Sequence, residues 1–244
     1  MEEMEAEAPK SELRLHMLIS GLLRTGEAER RRISRELHDG LGQTLSILKL
    51  RIGFLARRLS DDQSELRRGF EETLEDLAGI IESTRKLSHE LSPSILADLG
   101  LGTALRRLVS QFEHLGVCSV ESRIEGVDRL LPMESEINLY RILQESLGNI
   151  EHHARARNVA IRVERIGECL VSVVEDDGRG FDWKGADASD DRGMGLAIMR
   201  ERARMMGAVM ELQSRIGKGT RIRLSVPLEG RRHENKRVPV AAGR

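Results

Sequence analysis

Aromatic residues are nearly missing from this chain of 244 residues, where one Trp, one Tyr and four Phe together make up 2%. Its core therefore has to be packed by Leu, Ile and Met, which suits helices. An excess of one charge is missing too, since 39 Lys and Arg stand against 40 Asp and Glu, for a net charge of -1. Neither a nucleic-acid footprint nor a strongly acidic surface is visible in bulk, and DNA contact is not expected. The two cysteines, Cys118 and Cys169, are too few and too far apart for a disulfide framework or a zinc site. Each sits in a strand-like apolar pattern, so both are expected as buried thiols in a reducing compartment. No apolar run approaches the roughly 18 residues of a transmembrane helix, and the N-terminus has no basic and apolar signal pattern. A soluble, cytoplasmic protein is the expectation.

What the chain does contain is helical periodicity. Ile33, Leu37, Leu41, Leu45, Leu48, Ile52, Leu55 and Leu59 recur at steps of three and four, the period of one helix face. His38 lies just off this stripe, Asp39 one step round from it, and Gln43 one turn above Asp39. A neutral imidazole has one nitrogen with a lone pair free to attack phosphorus. A neighbouring carboxylate can take the hydrogen of the other nitrogen, fix the tautomer and stabilise the cation that forms. A bare His-Asp pair on a surface helix is most often chance. Gly40 and Gly42 weigh against chance, because each costs a helix interior about 1 kcal/mol relative to Ala.

Residues 1–10 are acidic and read as unstructured, and Leu13, Met17, Leu18, Leu22 and Leu23 suggest a short lead helix that Gly21 and Gly26 can break. The central helix is expected to end near Leu59. A second amphipathic helix carries Leu66, Phe70, Leu74, Leu77, Ile81, Thr84, Leu87 and Leu91 until Ser92-Pro93 stops it. One hairpin cannot easily enclose both stripes, whereas two copies make a four-helix bundle, so a homodimer is expected.

After Pro93 the pattern changes to α+β. A helix is expected over Leu99–His114, a strand over Val117–Ile124 and a long helix over Met133–Ala156. Strands follow at Val159–Arg165 and Leu170–Val174, then a Gly- and Asp-rich loop over Asp176–Gly195 and a helix over Leu196–Met206. Strands at Val209–Gln213 and Thr220–Val226 complete a sheet with helices on one face. The stretch from Glu229 is polar, basic and expected to be disordered.

Three motifs give this second region its chemistry. Glu145 and Asn149 share a helix face, where a carboxylate can position a nucleophile and an amide oxygen suits Mg²⁺ held jointly with phosphates. Asp176, Gly178 and Gly180 follow an apolar strand; an acid there can accept from an exocyclic amino group while the glycines let a flat ring approach. Gly193 and Gly195 lead towards a helix whose free N–H groups can meet phosphate. Each motif alone is weak. Their order, with Gly217-Lys218-Gly219-Thr220 last, is far more specific.

With these residues the chain resembles two-component sensor histidine kinases of the HisKA_3 type, the group of nitrate and nitrite sensors and the DesK-like thermosensor. His38, Asp39 and Gln43 match that family's HDxxxQ motif, and Leu91-Ser92-Pro93 and Leu99-Gly100-Leu101 resemble its linker. Glu145 and Asn149 match the N box of a GHKL ATP-binding domain, Asp176, Gly178 and Gly180 its G1 box, and Gly193 and Gly195 its G2 box.

The resemblance implies a dimeric helical hairpin forming a four-helix bundle, followed by a Bergerat-type α/β sandwich ATPase domain. It divides the chain into an N-terminal segment (1–27), a dimerisation and phosphotransfer hairpin (28–93), a GHKL domain (94–228) and a basic tail (229–244). By the same resemblance His38 is the phosphorylated residue, Asp39 its orienting base, and Gln43 the group that positions water in a reverse phosphatase reaction. Asn149 holds Mg²⁺, Glu145 supports the site, Asp176 reads the adenine amino group, Thr220 assists through its hydroxyl, and Asp182–Arg192 forms a lid over ATP. The implied partners are a second copy of the chain and a response regulator with a helix-turn-helix output domain. Input is expected either from the short N-terminal segment or from a separate sensor protein. Where relatives commonly carry Lys-His after the N-box Asn, this chain has His152-His153. A kinase-deficient GHKL phosphatase or scaffold is the alternative reading; an anti-sigma type serine kinase lacks the hairpin, and a purely structural coiled coil leaves the glycines unexplained.

Overall fold

The computed structural model describes residues 2–60, 62–91, 94–182 and 191–228. The first helix, α1, runs unbroken over Glu2–Arg35, so residues 2–10 are helical rather than unstructured. Neither Gly21 nor Gly26 interrupts it. The modest helix penalty of glycine is outweighed by tertiary contact, because His16, Ser20 and Glu27 on one face of α1 bond to residues more than a hundred positions away.

At Glu36 the backbone widens into a π-helical segment, Glu36–Gly42, and then resumes as α2, Gln43–Ala56. That helix stops three residues short of the expected Leu59, and Arg57 and Arg58 form the turn. Helix α3, Ser64–Leu91, runs back along α1 and α2 with Leu77, Ile81 and Ser88 buried. Ser34 of α1 and Ser88 of α3 lock these two helices together, each hydroxyl donating to the other's carbonyl at 2.9 and 3.0 Å. Many hairpin apolar residues remain exposed, among them Leu41, Ile47, Leu50, Phe54, Ile80 and Leu87.

Helix α4, Ser94–Glu113, begins before the expected Leu99 and is interrupted at Gly100, whose φ of 82° lies outside the helical region. The cause is Asp128: its Oδ1 accepts the Gly102 N–H at 2.7 Å and caps the second part of the helix, and a Cβ on Gly100 would stand 2.6 Å from that oxygen. There follow β1, Ser119–Ile124; α5, Met133–Asn149, which continues as a second π-helical segment, Ile150–Ala154; β2, Asn158–Ile166; and β3, Cys169–Asp176. Helix α6, Asp191–Met205, and strands β4, Val209–Ser214, and β5, Thr220–Pro227, complete the fold. Cys118, just before β1, and Cys169 are partly exposed rather than buried, because both sit at strand ends.

The sheet has the order β1-β2-β3-β5-β4, with β1 and β2 parallel and the other pairs antiparallel. Leu101 and Leu105 of α4, Leu139, Ile142 and Leu143 of α5, and Met199 of α6 pack on it as one core. Strand alternation decides what faces them. Val163, Ser172, Leu224 and Met210 form one cross-strand row, and Ile161, Val174, Ile222 and Leu212 the next. One step further along, the row becomes Val159, Asp176, Thr220 and Ser214. The apolar face of the sheet thus ends in three polar residues side by side.

Candidate functional site

His38 is the third residue of the first π-helical segment. Its Nδ1 lies 2.9 Å from Asp39 Oδ1, and the two side chains are 66% and 64% exposed. With Nδ1–H given to the carboxylate, Nε2 holds the lone pair and faces solvent. His38 and Gln43 line one groove with Ser46 of α2 and Thr84 and Arg85 of α3. The spacing predicts Gln43 above Asp39, but Asp39 is not among the residues lining the groove. The wider turn of a π-helix, with its bonds five residues apart, changes which side chains align. Arg85 was missed by the sequence reading; Thr84, a polar residue within the apolar stripe of α3, was the one signal of this wall.

The other end of the chemistry is an open, concave cavity at the polar end of the sheet. Asn149 and His153 line it from α5 and its π-helical continuation, Asp176 and Thr220 from the sheet, and Leu196 from α6. Ile150, Val174, Ile222 and Phe181 supply apolar walls on which a flat ring can lie. Asp176 is 6% exposed because it continues the inward series Leu170, Ser172, Val174. Its Oδ1 accepts the Gly178 N–H at 2.8 Å, and the Thr220 backbone N–H also bonds to it. Burial nevertheless raises its carboxyl above the ordinary range.

Asp177, one residue on, points outward and was read from the sequence only as part of the glycine motif. Its carboxylate accepts the backbone N–H groups of Arg157 and Asn158 at 2.7 and 2.9 Å, and the Asn158 side-chain amide at 2.7 Å. The Asn158 contacts hold it below the ordinary range and tie the loop to the start of β2. Gly178 packs against the Ala154 carbonyl and Gly180, at φ 57°, against the Arg215 carbonyl, so a side chain at either position would collide with backbone.

Gly193 and Gly195 lie in the first turns of α6, which starts at Asp191 rather than near Leu196. The earlier start leaves the Gly193 N–H among the four that a helix leaves unbonded. Glu145 is exposed, and a Cβ on Gly195 would come 2.6 Å from its Oε1, so this carboxylate lies against the α6 backbone. His152 and His153 are exposed with ring centroids 6.2 Å apart, and of the two His153 lines the cavity. Most of the expected lid, residues 183–190, and the tail from 229 lie outside the described residues. The cavity and the His38 groove share no lining residue.

No helix among the described residues is long and apolar enough to cross a membrane. Comparison with known proteins finds two family regions in order. Residues 29–96 match HisKA_3, histidine kinase, and residues 134–230 match the histidine kinase-, DNA gyrase B-, and HSP90-like ATPase family. The chain is 33% identical over 231 residues to the signal transduction histidine-protein kinase/phosphatase UhpB of Salmonella typhimurium, covering 93% of this chain and 44% of that protein. It is 31% identical over 217 residues to the kinase/phosphatase DegS of Bacillus subtilis, covering 85% and 55%. To the oxygen sensor histidine kinase NreB of Staphylococcus carnosus it is 34% identical over 202 residues, covering 83% and 57%. The chain thus spans about half the length of these relatives. In fold it is similar to the histidine kinase domain of a blue-light activated histidine kinase from Erythrobacter litoralis, with a TM-score of 0.50, 21% identity, and coverage of 76% of this chain and 94% of that one. Carrying the phosphoacceptor region and the ATPase region in this order, the chain belongs to the HisKA_3-type sensor histidine kinases.

Proposed function

We propose that this protein transfers the γ-phosphoryl group of ATP to Nε2 of His38 and then passes it to an aspartate of a response regulator. The observation that carries this reading is the pairing of Nδ1 with Asp39, which leaves a nucleophilic lone pair exposed in an open groove. Nε2 attacks the γ-phosphorus, the N–P bond forms, and the bond from phosphorus to the bridging oxygen breaks to release ADP. Asp39 holds the Nδ1 proton, stabilises the imidazolium and can accept that proton as the phosphoimidazole becomes neutral. The labile N–P bond suits onward transfer to a carboxylate.

Asp176 accepts from the adenine amino group, Thr220 assists through its hydroxyl, and Gly178 and Gly180 admit the ring to the backbone. The N–H groups at the start of α6, around Gly193 and Gly195, meet the phosphates. Asn149, half-buried in the cavity wall, and Glu145 one turn before it fit an oxygen-liganded Mg²⁺. Among the described residues no group of three or more His, Cys, Asp or Glu could hold a metal alone, so an ion here relies on phosphate oxygens for its remaining ligands. When bound, Mg²⁺ neutralises the charge that develops on the transferring phosphoryl group.

The reverse reaction belongs to the same proposal. Gln43 shares the His38 groove and is placed to orient a water for hydrolysis of the phosphorylated partner, and two of the relatives are named kinase/phosphatase. The exposed apolar residues of the hairpin support a homodimer built through residues 28–93, with residues 94–228 as the catalytic domain of each copy. Such a kinase works in the cytoplasm and addresses a response regulator with a helix-turn-helix output domain. In this reading the catalytic domain swings towards His38 for transfer and away to admit the partner. The test is incubation with γ-labelled and α-labelled ATP. Acid-labile, alkali-stable label from the γ position alone, absent in His38→Gln, is the expected result; nucleotide binding without label overturns the kinase reading.

A further inference from the structure

The polar row that ends the sheet contains one residue that the nucleotide site does not explain. Asp176 and Thr220 line the cavity, but Ser214, opposite Thr220 on the edge strand β4, does not. It stands in the inward-facing series Met210, Leu212, Ser214, where the two residues before it are packing groups. Its hydroxyl is surrounded: the Phe181 N–H donates to Ser214 Oγ at 2.9 Å, the Gly219 carbonyl lies 3.2 Å away, and Thr220 Oγ1 lies at 3.0 Å.

Either hydroxyl could donate in the Ser214–Thr220 contact, and the Arg215 N–H also reaches the Gly219 carbonyl at 3.5 Å; counting protons selects one direction. A serine hydroxyl has one hydrogen to give and two lone pairs to fill. The Gly219 carbonyl can only accept, so the single Ser214 proton goes there. The Phe181 N–H fills one lone pair. The remaining lone pair is satisfied if Thr220 donates its own hydroxyl proton to Ser214. Thr220 then has no proton left to turn into the cavity, and what it presents there is an acceptor. Asp176, its neighbour in the row, is also an acceptor when ionised.

We infer that Ser214 is a specificity-determining, positioning residue that acts through Thr220, making the end of the cavity an acceptor-only surface that selects a purine bearing an exocyclic amino group at position 6 over one bearing an oxo group. This inference rests on the nucleotide-site reading above. A 6-amino purine offers hydrogens to both acceptors. A 6-oxo purine has a donor at N1 but places O6, which has only lone pairs, where the amino group would lie, and a site built this way leaves a buried acceptor unpaired against the wrong ring. Removing the Ser214 hydroxyl frees the Thr220 hydroxyl to rotate, so that it can donate to an oxo group.

The experiment is equilibrium binding of fluorescent ATP and GTP analogues to the full chain, for wild type, Ser214→Ala, Ser214→Thr, Thr220→Val and the double variant Ser214→Ala/Thr220→Val. Ser214→Ala should weaken ATP binding about five-fold, the worth of one hydrogen bond, while GTP binding holds or improves, so that the ratio of affinities narrows. Ser214→Thr keeps the hydroxyl and should restore the ratio. In the Thr220→Val background the Ser214→Ala change should no longer alter the ratio, since the hydroxyl it orients is gone. A purely structural loss at the Phe181 contact weakens both nucleotides together and leaves the ratio unmoved. Wild-type preference for ATP with an unchanged ratio in Ser214→Ala overturns the inference alone. Failure of the wild type to bind either nucleotide overturns the nucleotide-site reading itself.

Discussion

Glu27 and Arg141 form a buried ion pair at 2.9 Å, with side chains 9% and 3% exposed, that joins the helix leading to His38 to the helix carrying Glu145 and Asn149. Arg202 of α6 stands 3.7 Å from the same carboxylate, and Arg141 also donates to the Leu91 carbonyl at the end of the hairpin at 2.6 Å. Glu27 is therefore held by both helices that frame the nucleotide cavity. Replacing it with Ala removes a buried carboxylate from beside two guanidinium groups, a change that costs about 3–5 kcal/mol in comparable pairs. Hydrogen exchange should show lost protection in α1 over residues 16–27, with the core of α5 unaffected. Unchanged protection would mean that the pair does not hold this face.

A second cluster on the same helix gives a pH dependence. The Glu201 carboxyl is pushed down to about 2, first by the Arg204 guanidinium and then by Ser20 and His16. A depressed folded-state value means that stability is fully present above the ordinary value of 4.5 and is lost as pH falls from there through about 2. Thermal unfolding followed across that window should show this loss in wild type and a shallower one in Glu201→Gln.

Asp176 titrates in the other direction. Burial raises its carboxyl, and the ionised form is the stronger acceptor for the ligand's amino hydrogen, so ATP affinity should fall on acidification at a higher pH than an ordinary aspartate would require. Asp176→Asn should weaken binding roughly ten-fold or more at neutral pH, since a charge-assisted bond is replaced by an amide that can present its own hydrogens. Titration calorimetry across pH checks both; affinity flat through the acid range would contradict the assignment.

Gly195→Ala probes the contact between α6 and Glu145. The new Cβ would stand 2.6 Å from Oε1, the end of a flexible exposed side chain, so the chain should fold normally while the carboxylate is displaced. Displacement of a positioning group by about 1 Å can cost on the order of 100-fold in rate. Single-turnover labelling should fall steeply with the melting temperature little changed.

How far the sequence foretold this molecule can be seen residue by residue. The period-two run Leu170, Ser172, Val174 carries Asp176 to the inward face and Asp177 outward, so the position of the G1 acid follows from local pattern. The His38-Asp39 contact is between neighbours and was equally legible. The two π-helical segments were not, because widening a helix by one residue leaves no mark in hydrophobic spacing until side-chain alignment is seen. Glu27 meets Arg141 across 114 positions, and Ser214 meets Thr220 through strand register. Contacts of that kind depend on tertiary packing, which also kept α1 continuous through Gly21 and Gly26.

The most direct test of the central claim is phosphorus NMR of the protein labelled with ¹⁵N-histidine and treated with ATP and Mg²⁺. The pairing of Nδ1 with Asp39 predicts phosphorus coupled to Nε2 of His38 and a signal that vanishes in His38→Gln. Phosphorus on Nδ1, on a hydroxyl group or nowhere on the chain would contradict the account.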